Sequence, residues 1–100
     1  MQTNISKKDN NIIVEFIGRL DTPAAQEISK EVSELQENAD KTITIDCTSL
    51  EYISSSGLRI FLSLKKAAAQ KGGKVIVKNI NNEIRSVFMM TGFLNLFEII

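Results

Sequence analysis

No histidine occurs anywhere in this chain. That one absence removes the usual general base of serine and cysteine hydrolases and the commonest metal ligand. Cysteine is nearly missing too. Cys47 stands alone, so neither an internal disulfide nor a cysteine-rich zinc centre can form. Placed at the end of an apolar strand pattern, it reads as a small core residue rather than a nucleophile. Neither sign of charge is in excess, because twelve basic residues cancel twelve acidic ones. A nucleic-acid binder ordinarily needs a basic surplus to neutralise phosphates, so that class is set aside. No apolar run is long enough for a membrane span, and Met1-Gln2-Thr3-Asn4 opens no signal-peptide core. The expectation is a cytoplasmic protein that does not engage the membrane. Repeats, low-complexity tracts and linkers are absent as well.

What is present is ordinary for a folded domain: 43% apolar and 24% charged residues in 100. That length supports one domain, 1–100, with a single core and no catalytic cleft between two domains. Ile12 to Ile17 is β-branched, lies between Asp9-Asn10-Asn11 and Gly18, and reads as a strand. Asn4 to Lys8 forms a weaker edge strand joined to it by that turn. Asp21-Thr22-Pro23 then starts a helix, since Asp or Thr can cap it and proline fits its first position. Ala24, Ile28, Val32, Leu35 and Ala39 follow at helical spacing along one face, with Glu27, Lys30, Glu31 and Glu34 on the other.

Lys41 to Cys47 is a further strand with Ile43 and Ile45 on one side, and Leu50, Tyr52 and Ile53 carry the chain onward. From Leu58 a second helix has a polar stripe at Arg59, Ser63, Lys66 and Gln70 opposite a buried line at Phe61, Leu64 and Ala68. Gly72-Gly73 stops it. Lys74 to Lys78 is the next strand. Asn81 or Asn82 caps a short helix with Ile84, Val87, Phe88 and Thr91 inward, ended by Gly92. The apolar tail from Phe93 to Ile100 is expected to tuck against the core. Met89-Met90 reads as core filler, or, if exposed, as an adaptable binding surface.

Strand–helix–strand repetition implies an α/β fold with parallel neighbours and right-handed crossovers. Three helices cannot cover both faces of so small a sheet, so they lie mainly on one. Functional groups in such sheets gather at the carboxyl ends of strands. Asp21-Thr22 and Ser54-Ser55-Ser56-Gly57 both fall there, each leading into a helix, and so share one rim. Serines at a helix start have two physical uses. One caps the free backbone N–H groups, and the other carries a phosphate beside those donors. On spacing alone capping is the favoured reading, because serine so strongly prefers that position.

Gly18-Arg19-Leu20-Asp21, Ile43 to Leu50, and Tyr52-Ile53-Ser54-Ser55-Ser56-Gly57-Leu58 resemble the STAS domain of anti-sigma factor antagonists. Gly72-Gly73-Lys74-Val75-Ile76-Val77 and Thr91-Gly92-Phe93-Leu94 fit the same family, so the resemblance runs through essentially the whole chain. It implies a single small STAS-like α/β domain with a mixed, mostly parallel sheet of four to five strands. It also implies a non-enzymatic regulator that binds an anti-sigma factor acting as a serine kinase, thereby freeing a sigma factor for transcription. The kinase phosphorylates the serine before the glycine of an Asp-Ser-Ser-Gly motif, and a PP2C-type phosphatase reverses this. Carried over, the acceptor is Ser56, with Ser55 as the alternative. The family's Asp is Ser54 here.

Partner contacts implied on this rim are Asp21, Thr22, Ser54, Ser55, Gly57, Leu58, Arg59 and Ile60. Asp21 also reads as a plain helix cap. Gly57 either admits a kinase loop or packs the helix tightly on the sheet. Ser55 is expected to cap the helix. No cofactor or metal is expected, and the default state is a monomer. The same fold would also suit an accessory subunit of a membrane transporter that binds its partner constitutively. An enzyme using Ser56 is disfavoured, since histidine is lacking and no Ser-x-x-Lys begins at these serines. Gly72-Gly73-Lys74 is no phosphate-binding loop.

Overall fold

In the computed structural model, which describes residues 1–100, the chain begins with an antiparallel pair. Strands β1 (Gln2–Lys8) and β2 (Asn11–Leu20) are joined through Asp9-Asn10. Two short helices follow, α1 (Thr22–Glu27) and α2 (Ser29–Glu37). Next come β3 (Thr42–Asp46), β4 (Leu50–Ile53) and the long helix α3 (Ser55–Lys71). The chain ends with β5 (Lys74–Lys78), α4 (Asn82–Thr91), a 3-10 turn (Phe93–Asn95) and β6 (Glu98–Ile99).

The sheet runs β1-β2-β3-β5-β6, and β4 pairs with β2 off that path. Only β1 is antiparallel; every other pairing is parallel. The α/β class and mixed sheet are those the sequence leads one to expect, but there are six strands rather than four to five. The additions are the four-residue β4 and the two-residue β6, both too short for alternation to reveal.

Alternation explains which face the helices cover. Ile12, Val14 and Phe16 of β2, Ile43 and Ile45 of β3, and Val75 and Val77 of β5 are buried, while Ile13 between them is 42% exposed. One sheet face therefore packs on the helices and the other remains open. The core is a continuous cluster of 23 residues with Phe61 of α3 at its centre, its ring about 6 Å from those of Phe16, Phe88 and Phe97. Phe97 anchors the tail, as its apolar character suggested. Edge-to-face pairs such as Phe61–Phe88 add to the burial energy, each by about 0.5–1.5 kcal/mol.

The single helix expected from Ala24 to Ala39 is broken at Ile28, whose ψ of 12° leaves the helical range. Ala24, Ile28, Val32, Leu35 and Ala39 are nonetheless all buried. A break that keeps the buried face continuous leaves the spacing intact, and no glycine or proline marks it. The Met89-Met90 pair is not core filler. Their side chains are 64% and 86% exposed on α4, because Ile84 and Phe88 take the inward positions.

Candidate functional site

The geometry of the rim originates in β2. Its first half pairs with β3, from Asn11↔Thr42 to Glu15↔Asp46; its last residues pair with β4 instead, Leu20 opposite Ile53. The change of partner falls at Gly18, where φ is +103°, a conformation open to glycine and strained for other residues. The Gly18 N–H donates to Ser49 O at 2.9 Å and pins the bend. The ends of β2 and β4 consequently lie side by side. Residues 21–22 and 54–56, far apart in sequence, emerge together at the starts of α1 and α3.

Each helix start is capped by its own side chain. Asp21 Oδ1 accepts from the Ala24 N–H at 3.0 Å, with Pro23 in the first turn, as its position before the helix suggested. At α3 the cap is Ser54, not Ser55. Ser54 Oγ accepts from the Gly57 N–H at 3.2 Å and donates to Leu20 O at 3.0 Å. Ser54 has the extended backbone of an N-cap (φ −93°, ψ 175°), while Ser55 is already helical and projects into solvent. A cap must sit one residue before the helix for its oxygen to reach back to the third N–H, and only Ser54 does.

Ser56 is half-buried, and its Oγ lies 3.2 Å from Thr22 Oγ1, across the gap between the two helix starts. The three hydroxyls of the run are thus distinct: one is a structural cap, one is free in solvent, and one is held against a second element. No acidic residue lies in the first turn of α3. A negative group on Ser56 would therefore meet the favourable end of the helix dipole without a neighbouring carboxylate on that turn.

The remaining expected contacts divide by burial. Asp21, Thr22, Ser55, Arg59 and Ile60 reach the surface wholly or in part. Gly57 and Leu58 do not. Leu58 is 8% exposed, and both residues face the core because α3 turns that side toward the sheet. A Cβ on Gly57 would stand 2.8 Å from Ile53 Cγ1 and from Leu20 Cγ, so glycine is required there for close helix–sheet packing.

Two features of the rim escaped the sequence reading. The Arg19 guanidinium lies 4.2 Å above the Tyr52 ring, and Tyr52 is 38% exposed. They are register partners across β2 and β4, a pairing visible only once β4 is known as a strand. At the end of β3, Asp46 accepts from the Thr48 hydroxyl at 2.6 Å and the Thr48 N–H at 3.0 Å, and Asn79 reaches the same oxygen. Burial pushes the Asp46 carboxyl up, but these hydrogen bonds and the Lys78 charge outweigh it, holding it below its ordinary 3.8. Cys47 is a core residue as expected; burial, then the Asp46 charge, push its thiol up to about 12, far from a reactive thiolate.

Ser56 lines none of the three surface pockets, which lie beside α3 and the β5–β6 edge, between α2 and α3, and near Arg19 and Glu83. An open rim of hydroxyls at a capped helix start is a surface that another protein can cover. Among known proteins this architecture has a family. The chain belongs to the STAS domain family, whose model matches residues 2–100.

Similar sequences include a Bordetella bronchiseptica protein provisionally named as an anti-sigma factor antagonist, BtrV, 27% identical over 99% of this chain and 85% of that one. The anti-sigma-B factor antagonist of Bacillus subtilis is 25% identical over 99% of this chain and 90% of its own length. Among solved structures, an anti-sigma factor antagonist from Mycobacterium paratuberculosis superposes with a TM-score of 0.85 at 19% identity, covering 98% of this chain and 83% of that one. Unphosphorylated SpoIIAA gives a TM-score of 0.76 at 19% identity over 99% and 87% of the two chains. The phosphorylated form of SpoIIAA from Bacillus gives 0.75 at 20% identity over 99% and 91%.

Proposed function

We propose that this protein is an anti-sigma factor antagonist: a single-domain cytoplasmic monomer that binds an anti-sigma factor with serine-kinase activity and is released when Ser56 is phosphorylated. A PP2C-type phosphatase resets it. The observation that carries the reading is the inequivalence of the serines. Ser54 is consumed by capping, whereas the Ser56 hydroxyl is held at the open rim between α1 and α3. The names of the similar sequences support the function, and SpoIIAA, a protein of this fold, exists in a phosphorylated form.

The switch is electrostatic. Phosphate adds about −1.5 to −2 charges to a chain whose formal net charge is zero. In the free protein, the α3 N–H groups and water solvate it. Under a bound partner the same group is stripped of water, at considerable cost unless it is paired. Moving a partner from mostly bound to mostly free requires a difference of roughly 5.5 kcal/mol between the two states. A desolvated dianion is of that order.

Asp21, Thr22, Ser55, Arg59 and Ile60 supply the contacts around Ser56, with Gly57 and Leu58 shaping the surface from beneath. Ser54 that remains neutral still caps α3, so the family's acid at that position is dispensable for the helix start. Incubation with the cognate anti-sigma factor kinase and ATP, followed by fragment mass mapping, tests the site. A single phosphate on Ser56, absent in Ser56→Ala, is expected; phosphate confined to Ser54 or Ser55 would refute the assignment.

A further inference from the structure

We propose that Thr22 is a positioning residue for the Ser56 hydroxyl, and that this pairing directs phosphorylation to Ser56 rather than to Ser55. The inference rests on Ser56 being the acceptor and adds what selects it. The hydrogen bonds of the serine run belong to Ser54 and Ser56, and the partner of Ser56 is Thr22 Oγ1, 34 residues away, at 3.2 Å. Ser55 points into solvent.

Thr22 sits in a capped first turn. It is the first residue of α1, preceded by the Asp21 cap on Ala24 N–H and followed by Pro23, whose ring fixes φ. A serine side chain otherwise samples three staggered wells of χ1. The bond to Thr22 selects one for Ser56 and none for Ser55.

Selection matters because phosphoryl transfer depends on alignment more than on covalent help from the acceptor. In the transfer the Ser56 Oγ–P bond forms as the bond from the γ-phosphorus to the bridging oxygen of ADP breaks. The Ser56 proton leaves to a base of the kinase, and the nucleoside triphosphate comes with that kinase. When Thr22 donates to Ser56 Oγ, the serine proton remains free for that base, and an oxygen lone pair stays outward for attack. After transfer the Thr22 hydroxyl is placed to donate to a phosphate oxygen.

Thr22→Val removes the hydroxyl at nearly constant shape, and Thr22→Ser keeps it. Both proteins are compared with the unmodified one as substrates of the cognate kinase with Mg-ATP, while three-bond couplings report Ser56 χ1 in the free proteins. Thr22→Val is expected to lower kcat for Ser56 roughly three- to tenfold, as freed rotamers and one lost neutral hydrogen bond imply. The share of phosphate on Ser55 should rise and the Ser56 couplings should average over rotamers, whatever the variant does to KM through Thr22's own contact with the kinase. Thr22→Ser should restore all three. An unchanged kcat and site ratio in Thr22→Val, a change in KM alone, or a Thr22→Ser as defective as Thr22→Val would overturn the positioning role while leaving Ser56 as the acceptor. Absence of phosphate on Ser56 in the unmodified protein, with an active kinase, would overturn both.

Discussion

Replacing Ser54 by alanine separates the cap from its neighbours, and its cost can be worked from two distances. Ser54 Oγ accepts from the Gly57 N–H at 3.2 Å, and losing an N-cap of this kind costs about 1 kcal/mol, within a range of about 0.5–2. The same hydroxyl donates to Leu20 O at 3.0 Å, but that carbonyl also accepts from the Ser54 N–H at 2.9 Å and so is not orphaned. This second loss belongs at the low end of the usual net hydrogen-bond value, about 0.5 kcal/mol. Together the variant should lose about 1.5 kcal/mol. For a domain of this length each kcal/mol moves Tm by about 4–8 °C, so a fall of roughly 6–12 °C is expected. Urea unfolding should report the same loss with an unchanged m value. Ser55→Ala, at an exposed position, should stay within about 0.5 kcal/mol of the parent. If Ser54→Ala unfolds like the parent, or Ser55→Ala is the more damaged protein, the assignment of the cap is wrong.

Gly57→Ala would press a Cβ to 2.8 Å from Ile53 Cγ1 and Leu20 Cγ. Overpacking of about 1–3 kcal/mol should outweigh the gain in helix propensity of under about 1 kcal/mol, so denaturant unfolding should show net destabilisation, and a stabilised variant would contradict the close packing. For Asp46 the folded carboxyl titrates below its ordinary 3.8, so its stabilisation is complete above that value and is lost as pH falls through the folded value. Asp46→Asn should therefore be less stable than the parent at neutral pH, with the gap narrowing in acid; a gap that widens in acid would reverse the sign.

The central strands and α3 were legible because their side chains alternate or recur on one face: Ile43 and Ile45, Val75 and Val77, Phe61, Leu64 and Ala68 are all buried as their spacing implies. The shared rim was legible as well, since both candidate segments end strands. Its wiring was not. Leu50–Ile53 pairs only with the bent end of β2, a non-local contact that four residues including an exposed glutamate do not announce. Three consecutive hydroxyls are identical to any pattern rule, and only the backbone at residue 54 decides which one caps. The roles of Gly57 and of the exposed Met89-Met90 pair likewise depend on which way a helix faces its neighbours, a tertiary fact.

The affinity of the proposed partner, an anti-sigma factor kinase, for this protein, measured by titration with and without stoichiometric phosphate on Ser56, tests the proposed switch directly. A complete switch requires the unmodified form to bind about 10⁴-fold more tightly, and the loss should be in contact-dependent affinity with the fold unchanged. Equal affinities for the two forms would contradict the account.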